Sequence, residues 1–289
     1  MTGLTCQQAL DAARALSLDR LDAQLLLLHA LNRPASERAW LVAHDADALS
    51  DTVVAHFQQC TARRAAGEPL AYIVGHQEFF GLQLQVDARV LVPRPDTETL
   101  VEWALEVLDA KDSPKSAALP WQVLDLGTGS GAVALAIGHS LQQKHIPATI
   151  TALDVSPDAM AVVAVNAQQL GVSLQLLESH WLDKVSGYFH LIVSNPPYIA
   201  AQDPHLAALK HEPLQALAAG SDGLDDIRKI INDAPGHLLP GGWLLLEHGY
   251  DQSEKVCGLL AARGFRQVQS RPDLAGIARC SGGQLEITG

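Results

Sequence analysis

The chain contains a glycine-rich segment, residues 125–132, of the kind that turns tightly between a strand and a helix. It overlaps the end of the apolar run Val123 to Leu126 and leads into a helical pattern from Ala132 to Leu141. Glycines let a ligand approach the backbone closely, and the start of a helix offers free N–H groups with partial positive charge. The segment therefore predicts a nucleoside-binding turn inside an α/β fold.

Strand and helix patterns alternate from Trp121 to the end of the chain. The predicted strands cover residues 123–126, 149–153, 174–177, 191–194, 243–247, 265–270 and 284–288, and the predicted helices cover residues 132–141, 157–170, 225–239 and 253–263. Ser156 is expected to cap the second of these helices, which has a proline in its first turn. This alternation indicates an α/β domain with a mostly parallel sheet and helices on both faces.

The N-terminal part of the chain has helical spacing only. The predicted helices are a run through Gln7, Ala13 and Leu16 and the segments 22–31, 35–42 and 50–66, the last with Ser50 as its N-cap and Gly67 as its stop. Helices of this number and length form a small bundle with a modest core.

A hairpin pattern joins the two parts. Within residues 78–86, apolar and polar residues alternate after Gly81, and Pro93 and Pro95 keep the residues before them extended. Asp96 is expected to cap a helix that ends near Leu108, and residues 111–120 to form a loop. The sequence thus predicts a helical domain over residues 1–74, a hairpin linker over 75–95 and the α/β domain over 96–289.

An acidic residue follows the glycine-rich segment at a spacing that suits a ribose-binding carboxylate. Asp154 ends the next predicted strand, 23 positions after Gly131. A carboxylate at this place accepts hydrogen bonds from both hydroxyls of a ribose. The segment fits both NAD and S-adenosylmethionine, and taken alone it does not separate the two.

The tetrapeptide Asn195-Pro196-Pro197-Tyr198 follows an apolar strand, at the carboxyl end of the sheet, where ligands bind in such folds. The two prolines fix φ and remove two backbone donors, and Asn195 is held extended by the proline after it. The result is a rigid corner with two acceptors, the Asn195 side-chain oxygen and the Pro196 carbonyl, beside the aromatic face of Tyr198.

Two acceptors and a flat ring suit one kind of guest, a planar NH2 group. The nitrogen of an amide or arylamine is a poor nucleophile because its lone pair is delocalised. Holding both hydrogens aims that lone pair at an electrophile. If the electrophile is a methyl sulfonium, the displacement is helped mainly by alignment, and the proton leaves afterwards.

Taken together, these motifs resemble the release factor glutamine methyltransferases, the PrmC/HemK family. Besides the glycine-rich segment and Asn195 to Tyr198, the similar segments are Phe79-Phe80-Gly81-Leu82, Leu91 to Glu98, Glu212 to Leu217 and Leu244 to Gly249. The resemblance covers nearly the whole chain, and it is the combination of motifs that is specific.

The resemblance implies a Rossmann-like methyltransferase domain that uses S-adenosylmethionine. The implied reaction is methylation of the side-chain amide nitrogen (N5) of the glutamine in the Gly-Gly-Gln loop of peptide chain release factors. The implied cofactor-binding residues are Gly127, Thr128, Gly129, Ser130, Gly131, Asp154, Trp181 and Asn195. The implied catalytic residues are Asn195, Pro196 and Tyr198, which together with Pro197 bind the substrate. The N-terminal helices are expected to help dock the release factor.

The chain departs from the family pattern at His180, where members often have an acidic residue before the aromatic one. A contact to the adenine amine is therefore expected from Glu178 or from the backbone.

Arg94 and Glu98 are either a surface pair or positioning residues near the cofactor. Gly282-Gly283-Gln284 is expected to be a turn that enters the last strand.

The net charge of the chain helps to choose among the alternative functions. There are 20 Lys and Arg against 32 Asp and Glu, a net charge of −12, with no basic stripe. This disfavours the main alternative, an adenine- or guanine-methylating enzyme on DNA or RNA. An NAD-dependent dehydrogenase leaves the Asn195 corner unexplained, and a non-enzymatic cofactor sensor is expected to bind without turnover.

The remaining expectations concern metal, compartment and membrane. No metal site is predicted from the twelve histidines, because none has a Glu partner at helical spacing and no Cys pair accompanies them. The four dispersed cysteines, the lack of a signal peptide and the lack of a long apolar segment predict a cytoplasmic protein with reduced thiols and no membrane partner.

Overall fold

The computed structural model describes residues 3–109 and 120–286. The chain divides into two compact units, Met1–His76 and Gln77–Gly289. Residues 111–119 of the predicted loop lie outside the described residues. Within the described ranges, no helix is long and apolar enough to cross a membrane.

The first unit is helical. Its helices are α1 (Cys6–Ala15), α2 (Arg20–Ala30), α3 (Arg38–Ala43), α4 (Asp51–Ala65) and α5 (Leu70–Val74). Ser50 caps α4 as predicted, its hydroxyl accepting from the Val53 N–H. The core of the unit is built around the fully buried Leu26, Leu27 and Leu28 of α2.

Two local features of this unit differ from the predicted pattern. The segment 35–42 starts as a 3₁₀ turn, Ala35–Glu37, before α3 begins. Helix α5 was not predicted, because its five residues are too few for helical periodicity to show. It follows Pro69 and ends at Gly75, whose φ of 84° closes the helix in the left-handed region.

A small two-stranded sheet follows, made of β1 (His76–Phe79) and β2 (Leu82–Gln85). The residues between the strands, Phe80 and Gly81, have φ of 51° and 76°. Two successive positive φ values are the signature of a hairpin turn whose twist matches that of the strands. The predicted hairpin is therefore present.

The second unit is built on a seven-stranded sheet. Its strands are β3 (Trp121–Leu126), β4 (Ala148–Asp154), β5 (Gln175–Glu178), β6 (Phe189–Ser194), β7 (Leu238–Glu247), β8 (Arg266–Pro272) and β9 (Ala278–Gln284). The order across the sheet is β5-β4-β3-β6-β7-β9-β8, and β9 is antiparallel to both of its neighbours while the other pairings are parallel. The predicted α/β class with a mostly parallel, Rossmann-like sheet is confirmed.

Helices cover both faces of this sheet. They are α6 (Glu98–Asp109), α7 (Ala132–Gln143), α8 (Pro157–Leu170), α9 (Asp225–Asp233) and α10 (Ser253–Ala262). Alternate residues of the central strands belong to two different apolar clusters: Val123 and Leu245 to one, Leu124 and Leu244 to the other. Because successive side chains of a strand point to opposite faces, the clusters lie on the two sides of the sheet.

The bounds of the last predicted strand, residues 284–288, were wrong. Gly282-Gly283-Gln284 is not a turn but the end of β9, which pairs with β7 through Leu245 and Gly282; Leu285 and Glu286 lie beyond the strand, and residues 287–289 are outside the described range. Packing explains the glycines, since a Cβ at Gly282 would lie 2.5 Å from Cδ2 of Leu245. A close approach between elements was mistaken for a turn signal.

Two predicted helix ends were also wrong, both beside prolines. The predicted helix 225–239 stops at Asp233, because Pro235 sits in a 3₁₀ turn, Ala234–Gly236, that leads into β7. Asp96 does not cap a helix: it lies inside the 3₁₀ turn Pro95–Thr97, and α6 begins at Glu98. A proline in the first turn of a segment fixes φ for a tight start, and the sequence pattern does not distinguish 3₁₀ from α there.

Candidate active site

The carboxyl ends of the central parallel strands open into a cavity of about 420 Å³. Leu126 at the end of β3 is in register with Leu153 of β4 and Ser194 of β6, so the residues after these strands meet at one edge. The residues that follow β3, β4 and β6 line the cavity, together with residues from segments that cover it. The lining residues are Arg89 to Leu91, Gly127, Gly129, Leu153 to Ser156, Ala159, Ser179 to Trp181, Asn195, Pro197, Pro213, Gln215, Ala216, Ala218 and Asp226.

The glycine-rich turn owes its shape to positive φ values. Gly127 and Gly131 have φ of 70° and 86°. A Cβ at Gly131 would lie 2.5 Å from Val163 and 2.8 Å from Leu135, and a Cβ at Gly127 would lie 3.3 Å from the Trp181 ring. Glycine is therefore required at both places, for the backbone and for packing. Thr128 and Ser130 are buried behind the turn, and neither lines the cavity.

Asp154 is held at the rim of the cavity by backbone N–H groups. Its Oδ2 accepts from the Gly129 N–H at 3.0 Å, and its Oδ1 accepts from the Ser156 N–H at 2.9 Å. Each carboxylate oxygen has a second lone-pair site. The acid is thus positioned by the turn and by the start of α8, and it keeps acceptor capacity towards the cavity that it lines.

A second carboxylic acid, Asp125, supports the turn from below. It is buried, and it accepts from the Thr128 hydroxyl at 2.6 Å and the Ala134 N–H at 3.2 Å. Burial raises the pKa of Asp125 to about 7, against the lowering by these hydrogen bonds. Asp125 ties the turn to the first residues of α7.

Trp181 forms one wall of the cavity. Its ring packs over Gly127, only 9% of its surface is exposed, and its Nε1–H donates to Asp226 Oδ1 at 2.9 Å. Asp226 was missed by the sequence analysis, because nothing in the pattern of α9 marks it. Of the two residues considered around Trp181, His180 lines the cavity and pairs with Asp183, whereas Glu178 is not among the lining residues.

Asn195 stands directly after β6 with its amide held by one hydrogen bond. Its Nδ2–H donates to the Thr97 hydroxyl at 3.2 Å. This bond engages the nitrogen end of the amide, so Oδ1 is the end that acts as the acceptor. Pro196 and Pro197 are buried. Asn195 and the two prolines thus lie at the carboxyl edge of the sheet, and the Asn195 amide is oriented by Thr97.

A second cavity, of about 240 Å³, lies beside the first. It is lined by Leu91, Arg94, Asn195, Tyr198, Ile199, Leu209, Ala216 and Leu217. Three of these residues, Leu91, Asn195 and Ala216, also line the first cavity. Asn195 thus lies where the two cavities meet, with the glycine-rich turn on one side and Tyr198 on the other.

Tyr198 is tied to a buried acid below the second cavity. Its hydroxyl donates to Glu247 Oε1 at 3.2 Å, and burial raises the pKa of the phenol, so Tyr198 stays protonated. Burial raises the pKa of Glu247 to about 7, while hydrogen bonds from Thr97 and Tyr198 lower it. In the described part of the chain, Glu247 Oε2 is a buried side-chain atom without a hydrogen-bond partner.

Arg94 does not pair with Glu98. It forms an ion pair with the buried Glu212, which also accepts from the Val92 N–H at 3.1 Å, whereas Glu98 accepts from the Phe80 N–H. Of the two alternatives for Arg94 and Glu98, the surface pair is therefore wrong, because the covering segment brings the carboxylate of Glu212 to Arg94. Glu212 thereby holds the segment 212–217 against residues 92–94, over both cavities.

Asn166 is a further structural residue that the sequence did not reveal. It is fully buried in α8, its Oδ1 accepts from the Gln85 N–H, and its Nδ2 donates to the carbonyls of Gln85 and Ser130. One side chain thus joins β2 to the glycine-rich turn. A polar residue in the middle of a helix gives no sign of such partners, which lie 81 and 36 positions away.

Both parts of the chain match known proteins. Residues 5–75 match the family model described as PrmC N-terminal domain, and residues 105–255 match the Methyltransferase small domain. The chain is 47% identical to the release factor glutamine methyltransferase of Bordetella pertussis over 93% of this chain and 96% of that protein. It is 46% identical to the protein of the same name from Coxiella burnetii over 90% of each.

Solved structures share the fold at lower identity. A methyltransferase from Pyrococcus furiosus is 19% identical with a TM-score of 0.50, over 80% of this chain and 100% of that one. A 16S rRNA methyltransferase from T. thermophilus is 18% identical with a TM-score of 0.51, over 73% of this chain and 50% of that one. These likenesses show the fold alone.

Proposed function

The chain belongs to the release factor glutamine methyltransferase family, and on that premise we propose that it methylates the glutamine of the Gly-Gly-Gln motif in peptide chain release factors. The methyl group comes from S-adenosylmethionine, and the acceptor is the side-chain amide nitrogen. One observation supports the proposal beyond the family name: Asn195 lies between two adjoining cavities, one beside the glycine-rich turn and one beside the partly buried Tyr198.

The first cavity is proposed as the cofactor site. The turn from Gly127 to Gly131, with Thr128, Gly129 and Ser130, supplies the close backbone approach and the start of α7. Asp154 accepts from the ribose hydroxyls, and Trp181 packs beside the adenine. Asp226 is added to this set, because it lines the cavity and fixes the Trp181 ring.

The second cavity is proposed as the glutamine site. Asn195 Oδ1 and the Pro196 carbonyl accept the two hydrogens of the substrate carboxamide, and Pro197 and Tyr198 shape the pocket around it. These residues hold the carboxamide plane so that the nitrogen lone pair faces the first cavity. S-adenosylmethionine supplies an electrophilic methyl group on a sulfonium centre. That methyl group would pass from the sulfur to the amide nitrogen, and the proton that the nitrogen gives up would leave to water.

The mostly apolar lining of the glutamine site favours a neutral guest. Tyr198 keeps its proton, because its phenol has a raised pKa, and Arg94 is already paired with Glu212. No strong base is required, since the proton departs after attack. Orientation by Asn195 and Pro196 is the main contribution of the protein to the rate.

The helical residues 1–74 are proposed to dock the release factor, and residues 75–95 to link them to the methyltransferase domain over residues 96–289. The match of residues 5–75 to a family-specific N-terminal model supports this role. A location in the cytoplasm, where release factors act, is consistent with four free cysteines, Cys6, Cys60, Cys257 and Cys280.

A nucleic-acid substrate is the alternative that needs a direct test, because enzymes acting on RNA share this fold. The net charge of −12 favours a protein substrate. The test is methyl transfer from radiolabelled S-adenosylmethionine to three substrates: a release factor, the same factor with Ala in place of the motif glutamine, and mixed DNA and RNA. We expect label in the first only. Label in nucleic acid, or undiminished label in the Ala variant, contradicts the proposal.

A further inference from the structure

Three metal-ligating side chains meet in the helical unit, outside both cavities. They are His29 of α2 and His56 and Cys60 of α4, and one ligand atom of each lies within 4.8 Å of those of the other two. His56 and Cys60 are four positions apart, so they lie one above the other on one face of α4. The rings of His29 and His56 have centroids 5.2 Å apart. Two packed helices thus direct three donors to one point.

The donor set suits a borderline metal ion. Two imidazoles and a thiolate are zinc ligands, and Zn–N and Zn–S bonds of about 2.0 to 2.3 Å place tetrahedral ligand atoms about 3.5 Å apart. The three atoms are within small side-chain adjustments of that spacing. The sequence analysis considered only His with Glu at helical spacing and Cys with Cys. It therefore missed His56 and Cys60, which combine one histidine and one cysteine.

Burial and charge at this place are compatible with a cation. Cys60 is 1% exposed, His29 is partly buried and His56 is exposed, so the cluster opens to water on one side. The nearest guanidinium along α4, that of Arg63, forms hydrogen bonds of 2.8 and 2.5 Å with the carboxylate of Glu68. That ion pair offsets the positive charge that would otherwise repel a metal ion.

We propose that His29, His56 and Cys60 bind one Zn²⁺ ion, with water as the fourth ligand. Binding replaces the thiol proton of Cys60, which is released to the solvent, and forms one Zn–S and two Zn–N bonds. The ion then links α2 to α4 and stabilises the folded helical unit, since it binds the folded chain in preference to the unfolded one.

The test is zinc titration by calorimetry on the full chain, first stripped with a chelator. We expect one ion per chain in the wild type and in Cys6→Ser, a matched change of a buried thiol in the same unit. In His56→Ala and Cys60→Ser we expect the affinity to fall at least about tenfold. His56 is exposed, so His56→Ala keeps the fold, which circular dichroism checks.

Cobalt substitution supplies a second reading of the same site. A cobalt thiolate absorbs by charge transfer in the near ultraviolet, and we expect this band in the wild type and in Cys6→Ser but not in Cys60→Ser. A wild type that takes up no zinc overturns the proposal. Zinc binding of equal affinity in all variants also overturns it, because that result indicates an adventitious ion only.

A different observation, the buried chain of groups behind Asn195, carries a second inference that rests on the proposed function. The Asn195 Nδ2–H donates to the Thr97 hydroxyl, and the Tyr198 hydroxyl donates to Glu247 Oε1. The Thr97 side chain also acts on the Glu247 carboxyl, whose pKa it lowers. Thr97 is 3% exposed and Glu247 is 1% exposed. Thr97 and Glu247 are therefore shielded from bulk water, between the partly buried Asn195 and Tyr198.

We infer that Thr97 and Glu247 are positioning residues that select the productive orientation of the Asn195 amide. A side-chain amide has a donor end and an acceptor end. The Thr97 hydroxyl accepts from Asn195 Nδ2, so this end of the amide is directed inward and Oδ1 outward. The Glu247 carboxyl favours this arrangement, because it attracts the hydroxyl proton of Thr97. The opposite orientation would set a donor against the N–H groups of the substrate carboxamide, and the nitrogen would lose its alignment.

The test compares Thr97→Val, which keeps the shape and removes the hydroxyl, with Thr97→Ser, which keeps the hydroxyl. With a release factor as substrate we expect Thr97→Val to lower kcat about tenfold, and Thr97→Ser to stay within about twofold of the wild type. The affinity for S-adenosylmethionine is expected to be unchanged in both. A crystal structure of Thr97→Val is expected to show the Asn195 amide turned or disordered.

These outcomes separate the two levels of the argument. Inactive wild-type protein contradicts the proposed function, whereas the crystal structure of Thr97→Val still judges the role of Thr97. Wild-type kcat in Thr97→Val, or an unmoved Asn195 amide in its structure, overturns the positioning role while leaving the proposed reaction in place.

Discussion

Asn195 concentrates the proposed chemistry in one side chain, since it borders both cavities and has one end of its amide already engaged. We predict that Asn195→Ala lowers kcat by about 10²- to 10³-fold, because the carboxamide loses an acceptor that orients it. The affinity for S-adenosylmethionine is expected to change little. Single-turnover kinetics and calorimetric titration measure the two quantities, and unchanged turnover would contradict the assignment of the glutamine site.

Asp154 is expected to act on the other half of the reaction. Replacing it with Ala removes the proposed acceptor for the ribose hydroxyls and also the anchor of the Gly129 and Ser156 N–H groups. We predict that Asp154→Ala weakens S-adenosylmethionine about 10- to 100-fold, the range expected when a charged hydrogen-bond partner is lost. Asp158→Ala, which removes a carboxylate from the following helix α8, is the control. Equal affinities in the two variants would refute the assignment.

Glu247 makes stability depend on pH. Its folded-state pKa is about 7, above its ordinary value of 4.5, so the folded chain holds this proton more tightly than the unfolded chain does. The stabilising contribution is therefore complete in acid and is lost as the pH rises from about 4.5 to about 7. The loss reaches about 3 kcal/mol in the free energy of unfolding.

Glu247→Gln is expected to remove this loss. Urea unfolding of wild type and variant at about pH 5 and about pH 8 measures the difference. Asp125, whose pKa is also about 7, is present in both proteins, so its effect cancels in the comparison. An identical pH dependence of the two unfolding free energies would show that Glu247 ionises normally.

The individual site residues were predictable from sequence to the extent that they lie in continuous motifs. Gly127, Asp154 and Asn195 are marked by their neighbours in the chain, and all three line the first cavity. Their partners are not marked in this way: Thr97 lies 98 positions from Asn195, and Glu212 lies 118 positions from Arg94. Such pairs depend on how the strands and covering segments are arranged, which a local pattern does not contain.

At the scale of elements, the turn between β3 and α7 is the most constrained piece of backbone in the site. We predict that Gly131→Ala destabilises the protein by about 1–3 kcal/mol, because the new Cβ meets Val163 and Leu135 and the residue keeps a positive φ. Gly129→Ala is the matched control: its φ of 53° is also positive, but nothing lies within 4 Å of the added Cβ.

Chemical denaturation without cofactor measures both glycine variants. We expect the loss in Gly131→Ala to exceed that in Gly129→Ala, since only the former combines backbone strain with a clash. Equal losses would mean that packing against α8 does not contribute to the requirement for glycine.

The elements themselves followed from periodicity, and their errors have physical causes. Strands buried on both faces and helices with clear caps, such as α8 after Ser156, were predicted correctly. The end of α9 was placed too late and Gly282 was assigned to a turn, because prolines and glycines serve both as breakers and as residues that permit close packing. Only the neighbours in space decide between those uses.

For the whole molecule, the fold and the family together limit which class of substrate the chain can methylate. The seven-stranded fold is shared with enzymes that act on RNA, so it does not identify a substrate. The adjoining cavities, the neutral and oriented corner at Asn195, and the net charge of −12 together favour a protein carboxamide.

The central claim is that the corner after β6 holds a carboxamide and aims its nitrogen at the donor cavity. A crystal structure with S-adenosylhomocysteine and a peptide containing Gly-Gly-Gln tests it most directly. We expect the glutamine nitrogen within hydrogen-bond distance of both Asn195 Oδ1 and the Pro196 carbonyl, facing the sulfur of the bound product. A glutamine side chain bound elsewhere, or directed away from that sulfur, would contradict the account.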